Sequence, residues 1–333
     1  MYILGIESSC DETSASVSHH RKILSNTTVN QLVHKEYGGV VPEIASREHL
    51  DLISKVVEHA LLDSGVKIDQ IDAIAVTNGP GLKGALMVGV NFAKGLSMAK
   101  NIPLVGVNHM EGHLFSNFID LKEIRYPFLC LLVSGGHTQI WNVKKYKDYQ
   151  LLSNTIDDAA GEAFDKGARL LGMPYPGGPE IERLAKGGDI NKFKFPIAKI
   201  KGSENNFSFS GLKTSLYYLI KNNDEEMINE NKKHIAASYQ ETILETLIQK
   251  MIFISEKTKV YDIFISGGVI ANTRFRDKIA QINAKPKYNI NCPNMKYCTD
   301  NAAMICMAGY EKVINRNFSN LSLEVYPNLL MNQ

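Results

Sequence analysis

Apolar residues recur with two different periods along this chain. Short runs at Tyr2–Glu7, 15–18, 23–29, 71–77 and 104–107 are rich in aliphatic and β-branched residues, the pattern of strands. Between them Ile44, Ile53, Val56, Val57, Ala60 and Leu61 fall at helical spacing, which predicts a helix over 43–64 stopped by Gly65. A second helix follows the turn Gly79-Pro80-Gly81 and runs to about Ala99. The second half restarts in the same way. A strand at Phe128–Val133 leads through the polar turn Ser134-Gly-Gly-His-Thr138 into a strand at 139–143, echoing the passage from Ile3 to Val17 through Ser8-Ser-Cys-Asp-Glu-Thr13. Further helices are predicted at 157–171, Ser210–Lys221, 232–256, 272–281 and 300–314. Residues 187–208 read as irregular, with Lys192, Lys194, Lys199 and Lys201 interleaved with Phe193, Phe195 and Phe207.

Alternating strands and helices predict an α/β fold with covered sheets, and the two strand, turn, strand units predict a duplicated architecture. A length of 333 residues suits two lobes rather than one core. With 37 basic and 35 acidic residues the formal charge is only +2, which argues against a protein that coats nucleic acid and leaves room for a local basic patch. Five scattered cysteines with no CxxC pair predict a reducing compartment and no disulfide framework. The first residues lack the basic and apolar regions of a signal peptide, and no apolar run reaches the length of a spanning helix. A cytoplasmic protein with no membrane partner is the expectation.

His109 and His113 carry the sharpest chemical signal. Four residues apart on a helix, their imidazoles share one face. Taken alone, an H-x-x-x-H pair is more often structural than metal-binding, and two histidines need a third ligand. Asp300, in Cys298-Thr-Asp-Asn301 just before an apolar helical run, is the best candidate. The spacing superficially resembles a zinc protease. There the glutamate directly follows the first histidine, whereas Glu111 lies two residues on and points roughly 160° from the pair at about 100° per residue.

Four glycine-rich turns, Gly79-Pro-Gly81, Ser134-Gly-Gly136, Pro176-Gly-Gly-Pro179 and Ser266-Gly-Gly268, stand at element boundaries, where backbone N–H groups can approach a phosphate. None is a Walker A loop, because Ala85 and Leu86 follow Gly84 where Lys and Ser or Thr are required. Acidic residues cluster beside them. Asp157 and Asp158 read mainly as helix caps, Asp165 falls mid-helix without an evident structural reason, and Asn272 reads as an N-cap, a nucleotide contact, or both.

Ile6-Glu-Ser-Ser-Cys-Asp-Glu-Thr13, Tyr37-Gly-Gly-Val-Val-Pro-Glu43, His109-Met-Glu-Gly-His113, Leu132-Val-Ser-Gly-Gly-His-Thr138, Asp157-Asp-Ala-Ala-Gly-Glu-Ala-Phe-Asp165, Tyr175-Pro-Gly-Gly-Pro179, Phe207-Ser-Phe-Ser-Gly-Leu-Lys213 and Cys298-Thr-Asp-Asn301 together resemble the TsaD family over nearly the whole chain. The resemblance implies the two-lobed fold shared by actin, heat-shock ATPases and sugar kinases (ASKHA), with duplicated mixed sheets flanked by helices. It places an N-terminal lobe at 1–107, completed by a helix at about 300–330, and a C-terminal lobe at 108–299 holding the metal and nucleotide sites. It implies transfer of an L-threonylcarbamoyl group from threonylcarbamoyl-AMP to N6 of the adenosine 3′ of the anticodon, in tRNAs reading codons that begin with adenine.

By the same resemblance His109, His113 and Asp300 match the ligands of one divalent metal, Fe2+ foremost and Zn2+ second. Leu132, Val133, Ser134, Gly135, Gly136, Asp165, Gly178, Glu182 and Asn272 match substrate and nucleotide contacts, and Asp11 or Glu12 would take the amine proton. Asn108 stands where the family frequently has a histidine. The implied partners are tRNA, a paralogous TsaB-type scaffold subunit and a TsaE-type small ATPase; the Lys192 to Lys201 stretch reads either as an anticodon-stem contact or as an ordinary solvated loop. Two other classes compete: a non-catalytic scaffold paralogue, which should lack the histidines, and a small-molecule kinase of the same fold, which has no need of the metal ligands.

Overall fold

The computed structural model describes residues 1–121, 123–200 and 202–331; Lys201 therefore lies outside the described residues. The chain folds as two compact units, Met1–Arg125 joined by the segment from Pro293 onward, and Tyr126–Cys292. In the first unit β1 (Tyr2–Glu7), β2 (Glu12–His19) and β3 (Lys22–Asn30) form an antiparallel meander, followed by a short α1 (His34–Tyr37) and the long α2 (Pro42–Ser64). Then β4 (Ala73–Gly79), α3 (Lys83–Lys100) and β5 (Leu104–Asn108) complete a sheet of order β3-β2-β1-β4-β5, with β4 parallel to β1 and β5 parallel to β4. Helix α2 ends as its sequence predicts, with Gly65 in the left-handed region at φ 67°. It packs with α3 on one sheet face around Leu4, Ile6, Val17, Ile53, Val57, Val76 and Val90. After β5 the chain turns at once into α4 (His109–Phe115), all of whose residues are buried.

The second unit repeats the plan. β6 (Phe128–Val133), β7 (Thr138–Lys145) and β8 (Asp148–Asn154) are antiparallel neighbours. Helices α5 (Ala160–Leu170), α6 (Gly177–Ala185), α7 (Ser210–Lys221) and α8 (Glu225–Thr258) precede β9 (Asp262–Ser266), α9 (Thr273–Asn283) and β10 (Asn289–Asn291). The sheet order is β10-β9-β6-β7-β8, with β9 parallel to β6 and β10 to β9. Each sheet is thus an antiparallel meander whose first strand also takes a parallel neighbour, and this bears out the duplication read from the sequence. The described residues of the stretch 187–208 are irregular, as expected, apart from a single bridge between Phe207 and Thr155.

Helix α8 begins seven residues before the predicted 232, because Asp224 caps it by accepting from Met227 N, and the apolar pair Met227 and Ile228 is cut off from the later apolar positions by the polar run Asn229 to His234. Helix α6 hides in the run read as a glycine turn. Helix α5 starts at Ala160 rather than Asp157, which corrects the capping expectation. Asp157 instead accepts from Phe209 N at 2.8 Å, Ser208 Oγ at 2.5 Å and Ser210 Oγ at 2.8 Å, so it ties down the start of α7, while Asp158 pairs with Lys166.

On returning to the first unit the chain forms α10 (Ala302–Ile314) against the other face of the first sheet. Asn301 caps it by accepting from Met304 N at 3.1 Å, and Ser14 Oγ and Asn26 Oδ1 accept from the N–H groups of Ala302 and Ala303. A Cβ on Gly5 would lie 2.6 Å from Ala302 O and 2.7 Å from Cys306 Sγ; one on Gly309 would lie 2.5 Å from Ala75 Cβ. Missing side chains are therefore what let α10 lie directly on β1 and β4. On its other flank α10 packs against α4, where a Cβ on Gly112 would come 2.9 Å from Ile305 Cδ1. This packing holds α4 in the first unit and moves the unit boundaries from the expected 107/108 and 299/300 to 125/126 and 292/293. No helix among the described residues is long and apolar enough to cross a membrane.

Candidate metal centre

The end of β5 and the start of α4 share one residue pair, Asn108-His109. Asn108 caps the helix by accepting from Met110 N at 2.8 Å and donates its Nδ2 to Leu330 O at 3.1 Å. It is a structural residue here. One turn apart on α4, the rings of His109 and His113 sit 4.7 Å apart and nearly perpendicular, at 86°. Asp300, two residues before α10, reaches both: Oδ1 lies 3.1 Å from His113 Nε2 and Oδ2 lies 3.5 Å from His109 Nε2. The two nitrogens and one carboxylate oxygen fall within 4.8 Å of one another, an arrangement able to hold a metal ion.

The donor chemistry fits such an ion. His113 is buried, yet neither of its ring nitrogens has a hydrogen-bond partner of acceptable geometry among the described residues. Buried polar atoms without partners are costly and point to a missing neighbour. The other nitrogen of His109 is turned away from the cluster: Nδ1 lies 3.0 Å from Glu7 Oε2 and 3.1 Å from Ser9 Oγ. Glu7, at the buried end of β1, is itself fixed by Thr77 Oγ1, which donates to Oε2 at 2.6 Å, and by Ser9 N, which donates to Oε1 at 2.6 Å. A carboxylate so placed can orient a metal-binding imidazole from behind, and no signal in the sequence pointed to Glu7.

Charge in this cluster is tightly balanced. Burial drives the Asp300 carboxyl upward, but the adjacent His109, and His113 after it, outweigh burial and hold it well below the usual carboxylate range. Burial works against a charged His109, and Asp300 with Glu7 overcome it, raising that imidazole well above its ordinary value. Glu7 is raised by burial and lowered further by His109, for a net depression. Glu111 faces elsewhere: its Oε2 lies 3.0 Å from Lys312 Nζ on α10. It is not placed as a protease base.

Asp11 and Glu12 occupy the β1–β2 turn of the same unit. Buried His49 pins that turn, with Nδ1 2.8 Å from Thr13 Oγ1 and Nε2 3.0 Å from Cys10 O. The Glu12 carboxyl is pushed well above its ordinary value, first by burial and then by the charges of Asp300, Asp11 and Glu7.

In the second unit the glycine turns separate into two kinds. At Gly135, Gly136 and Gly178 a Cβ would meet nothing within 4 Å, so the Cα of each faces open space. Gly177 and Gly267 are instead packing glycines, closed by Asp165 Cα at 2.6 Å and Val133 O at 2.3 Å. In the first unit Gly79 and Gly81 are closed in the same way by Tyr326 O and Ser9 O. Leu132 and Val133 are buried in β6 and deliver Ser134, whose N–H donates to His137 O in a tight turn. Asp165 has a structural reason after all: it accepts the N–H of Gly177 at 2.7 Å and also bonds the backbone of Gly178, anchoring the start of α6. Glu182 accepts from Thr273 N at 2.9 Å, and Asn272 caps α9 through Phe275 N while donating Nδ2 to Gln240. The structure brings Asp165 to Gly178, and Glu182 to the residue after Asn272.

The family of TsaD, tRNA N6-adenosine threonylcarbamoyltransferase, matches residues 22–307. Curated proteins of that name include one from Thermosipho africanus, 48% identical over 99% of both chains, and one from Caldicellulosiruptor saccharolyticus, 45% identical over 98% of this chain and 97% of the other. Among solved structures, HypF of T. kodakarensis superposes with TM-score 0.64 at 14% identity, over 94% of this chain and 48% of that one. An activator of 2-hydroxyisocaproyl-CoA dehydratase from Clostridium difficile, with bound ADPNP, gives TM-score 0.52 at 13% identity over 97% and 100%. These structural likenesses carry the two-lobed α/β fold; the sequence match carries more, and this chain belongs to the tRNA N6-adenosine threonylcarbamoyltransferase family.

Proposed function

We propose that this chain transfers the L-threonylcarbamoyl group of threonylcarbamoyl-AMP to N6 of the adenosine 3′ of the tRNA anticodon, releasing AMP. The observation that carries this reading is the buried His109, His113 and Asp300 cluster inside a chain that matches the transferase family over most of its length. A non-catalytic scaffold has no use for two histidines and an aspartate held in this geometry. His109, His113 and Asp300 would hold one divalent ion, Fe2+ foremost with Zn2+ the alternative, and bound there it would supply Lewis acidity to an acyl oxygen.

The remaining steps belong to the chain's own residues. An exocyclic adenine amine is a weak nucleophile, so orientation and proton removal carry much of the barrier. Glu12 is our choice for the group that accepts the amine proton, because burial and the charges of Asp300, Asp11 and Glu7 raise its carboxyl and make it a stronger base than an ordinary carboxylate, with Asp11 adjacent. Glu7 keeps His109 oriented through Nδ1 and leaves Nε2 facing Asp300. In the second unit the turn at Gly135 and Gly136 would receive the adenylate phosphate, with Ser134, Asp165, Gly178, Glu182 and Asn272 shaping the pocket and Leu132 and Val133 supporting it. We place the protein in the cytoplasm and assign it a TsaB-type scaffold subunit and a TsaE-type ATPase as partners, on the strength of family membership.

Single-turnover transfer tests this directly. Purified chain with its partner subunits, unmodified tRNA and radiolabelled threonylcarbamoyl-AMP should move label to tRNA, and His109→Ala should abolish that transfer. Folded, partnered wild type that moves no label would make the scaffold reading correct.

A further inference from the structure

Helix α4 is seven residues long, too short to hold an orientation by itself, so its packing against α10 decides where its histidines point. His109 has Glu7 behind its ring. His113 has no hydrogen-bond partner of acceptable geometry among the described residues, which leaves its aim to the placement of the α4 backbone. The chain around α10 meets α4 at three points in order: Asp300 at His109 and His113, Met304 and Ile305 over Gly112, and Lys312 Nζ at Glu111 Oε2, 3.0 Å away. At about 100° per residue Gly112 stands between the histidine face and Glu111, so Asp300 and Lys312 hold α4 on either side of the crossing. The crossing itself is smooth. Glycine lets the helices approach but offers no side chain to resist a roll of α4 about its axis. Helix α10 is the fixed member, since it lies on β1 and β4 and Glu311, next to Lys312, is tied to Arg21 at 2.7 Å.

Stability alone gives little reason to join these helices through an ion pair. The Glu111 and Lys312 side chains are only 6% and 14% exposed, and withdrawing two charges from water offsets most of their attraction. Two apolar side chains of similar volume would hold the helices at least as firmly. They could, however, slide and roll past one another, whereas a buried charge must stay with its partner, which fixes register. We propose that Glu111 and Lys312 are positioning residues for the metal centre: their pairing sets the roll of α4 on α10 and so aims the Nε2 atoms of His109 and His113 at Asp300. This assignment rests on the reading of His109, His113 and Asp300 as metal ligands.

Co2+ binding to the full chain tests it, because Co2+ accepts the same nitrogen and oxygen ligands and its visible absorption bands report coordination geometry. Without metal, the double variant Glu111→Met, Lys312→Met should melt no lower than wild type. It should nevertheless bind Co2+ at least about tenfold more weakly, the lower end of what losing an orienting group costs a metal site, and its visible bands should shift. Lys312→Arg, which keeps the charge, should retain wild-type affinity and bands. Glu111→Gln keeps the shape of the side chain and should weaken Co2+ binding in the same way, so the outcome does not hang on the folding of the double variant. Wild-type affinity and bands in either charge-removing variant would overturn the proposal. A double variant melting well below wild type would also overturn it, since the pair would then act through stability. A wild-type chain that takes up neither Co2+ nor Zn2+ defeats the metal reading itself, whereas uptake by wild type with indistinguishable variants defeats the positioning role alone.

Discussion

Glu7 shows how much a single side chain outside a ligand set can decide. It is almost fully buried, it receives Thr77 and the Ser9 N–H, and its remaining contact is His109 Nδ1 at 3.0 Å. Glu7→Gln preserves volume but removes the charge behind the imidazole. It should weaken divalent-metal affinity by about 10- to 100-fold, the usual range for outer-shell partners. Chelator-competition titration checks this, and unaltered affinity would assign Glu7 to packing alone. The same cluster sets a pH dependence. Without metal, the raised His109 contributes stability that is fully present below its unfolded value near 6.5 and is lost as pH rises through its higher folded value. The depressed Asp300 and Glu7 contribute above the ordinary carboxylate range and lose that contribution as pH falls through their lower folded values. Metal binding requires His109 unprotonated. Metal affinity should therefore rise with pH across the range above 6.5 while the metal-free cluster loses stability, and titrations at several pH values together with apo melting curves would reveal this opposition.

At the scale of elements, packing glycines and caps set the site, and these divide what the sequence made legible from what it did not. The H-x-x-x-H face and the strand-to-helix entry at Asn108 are local patterns, so α4 and its paired histidines were readable. Asp300 was readable because a helix start follows it. Glu7 was not, since a buried carboxylate at a strand end looks like part of the turn until Thr77 and His109 come to it from far along the chain. Asp157 and Asp165 were misjudged for a related reason: Asp157, ahead of α5, bonds the start of α7, Asp165, within α5, bonds the start of α6, and α6 begins in glycines that resemble any turn. Gly5→Ala tests the packing side. Its Cβ would strike backbone at Ala302 O, so β1 and α10 must separate. A loss of about 1–3 kcal/mol in stability and weaker metal binding should follow in denaturation and metal titrations; wild-type values would show that the interface yields freely. Asp157→Ala should cost about 1 kcal/mol, the usual value of a helix cap. Burial raises Asp157, but donation from Ser208, Phe209 and Ser210 outweighs it and leaves a net depression. Its contribution is therefore present above about 3.8 and lost as pH falls through the lower folded value, and chemical denaturation at neutral and acid pH would expose that loss.

For the whole molecule, the duplicated plan explains why a chain so nearly neutral and so ordinary in composition carries two different kinds of site. Each unit builds a meander with parallel additions. In the first unit the residues that follow the ends of β1 and β5 and precede α10 are the candidate metal ligands, acids and the groups that hydrogen-bond to them. In the second, Gly135 and Gly136 in the turn after β6 and Gly178 in the first turn of α6 face open space. The central claim is that His109, His113 and Asp300 hold a metal on which threonylcarbamoyl transfer depends. The most direct measurement is single-turnover transfer to tRNA by chelator-stripped, partnered protein as Fe2+ or Zn2+ is restored, with Asp300→Ala in parallel and bound metal counted by elemental analysis. Transfer that rises with occupancy toward one ion per chain in wild type, with neither ion nor transfer retained by Asp300→Ala, is the predicted result. Full transfer by the stripped protein, or by Asp300→Ala without bound metal, would contradict it.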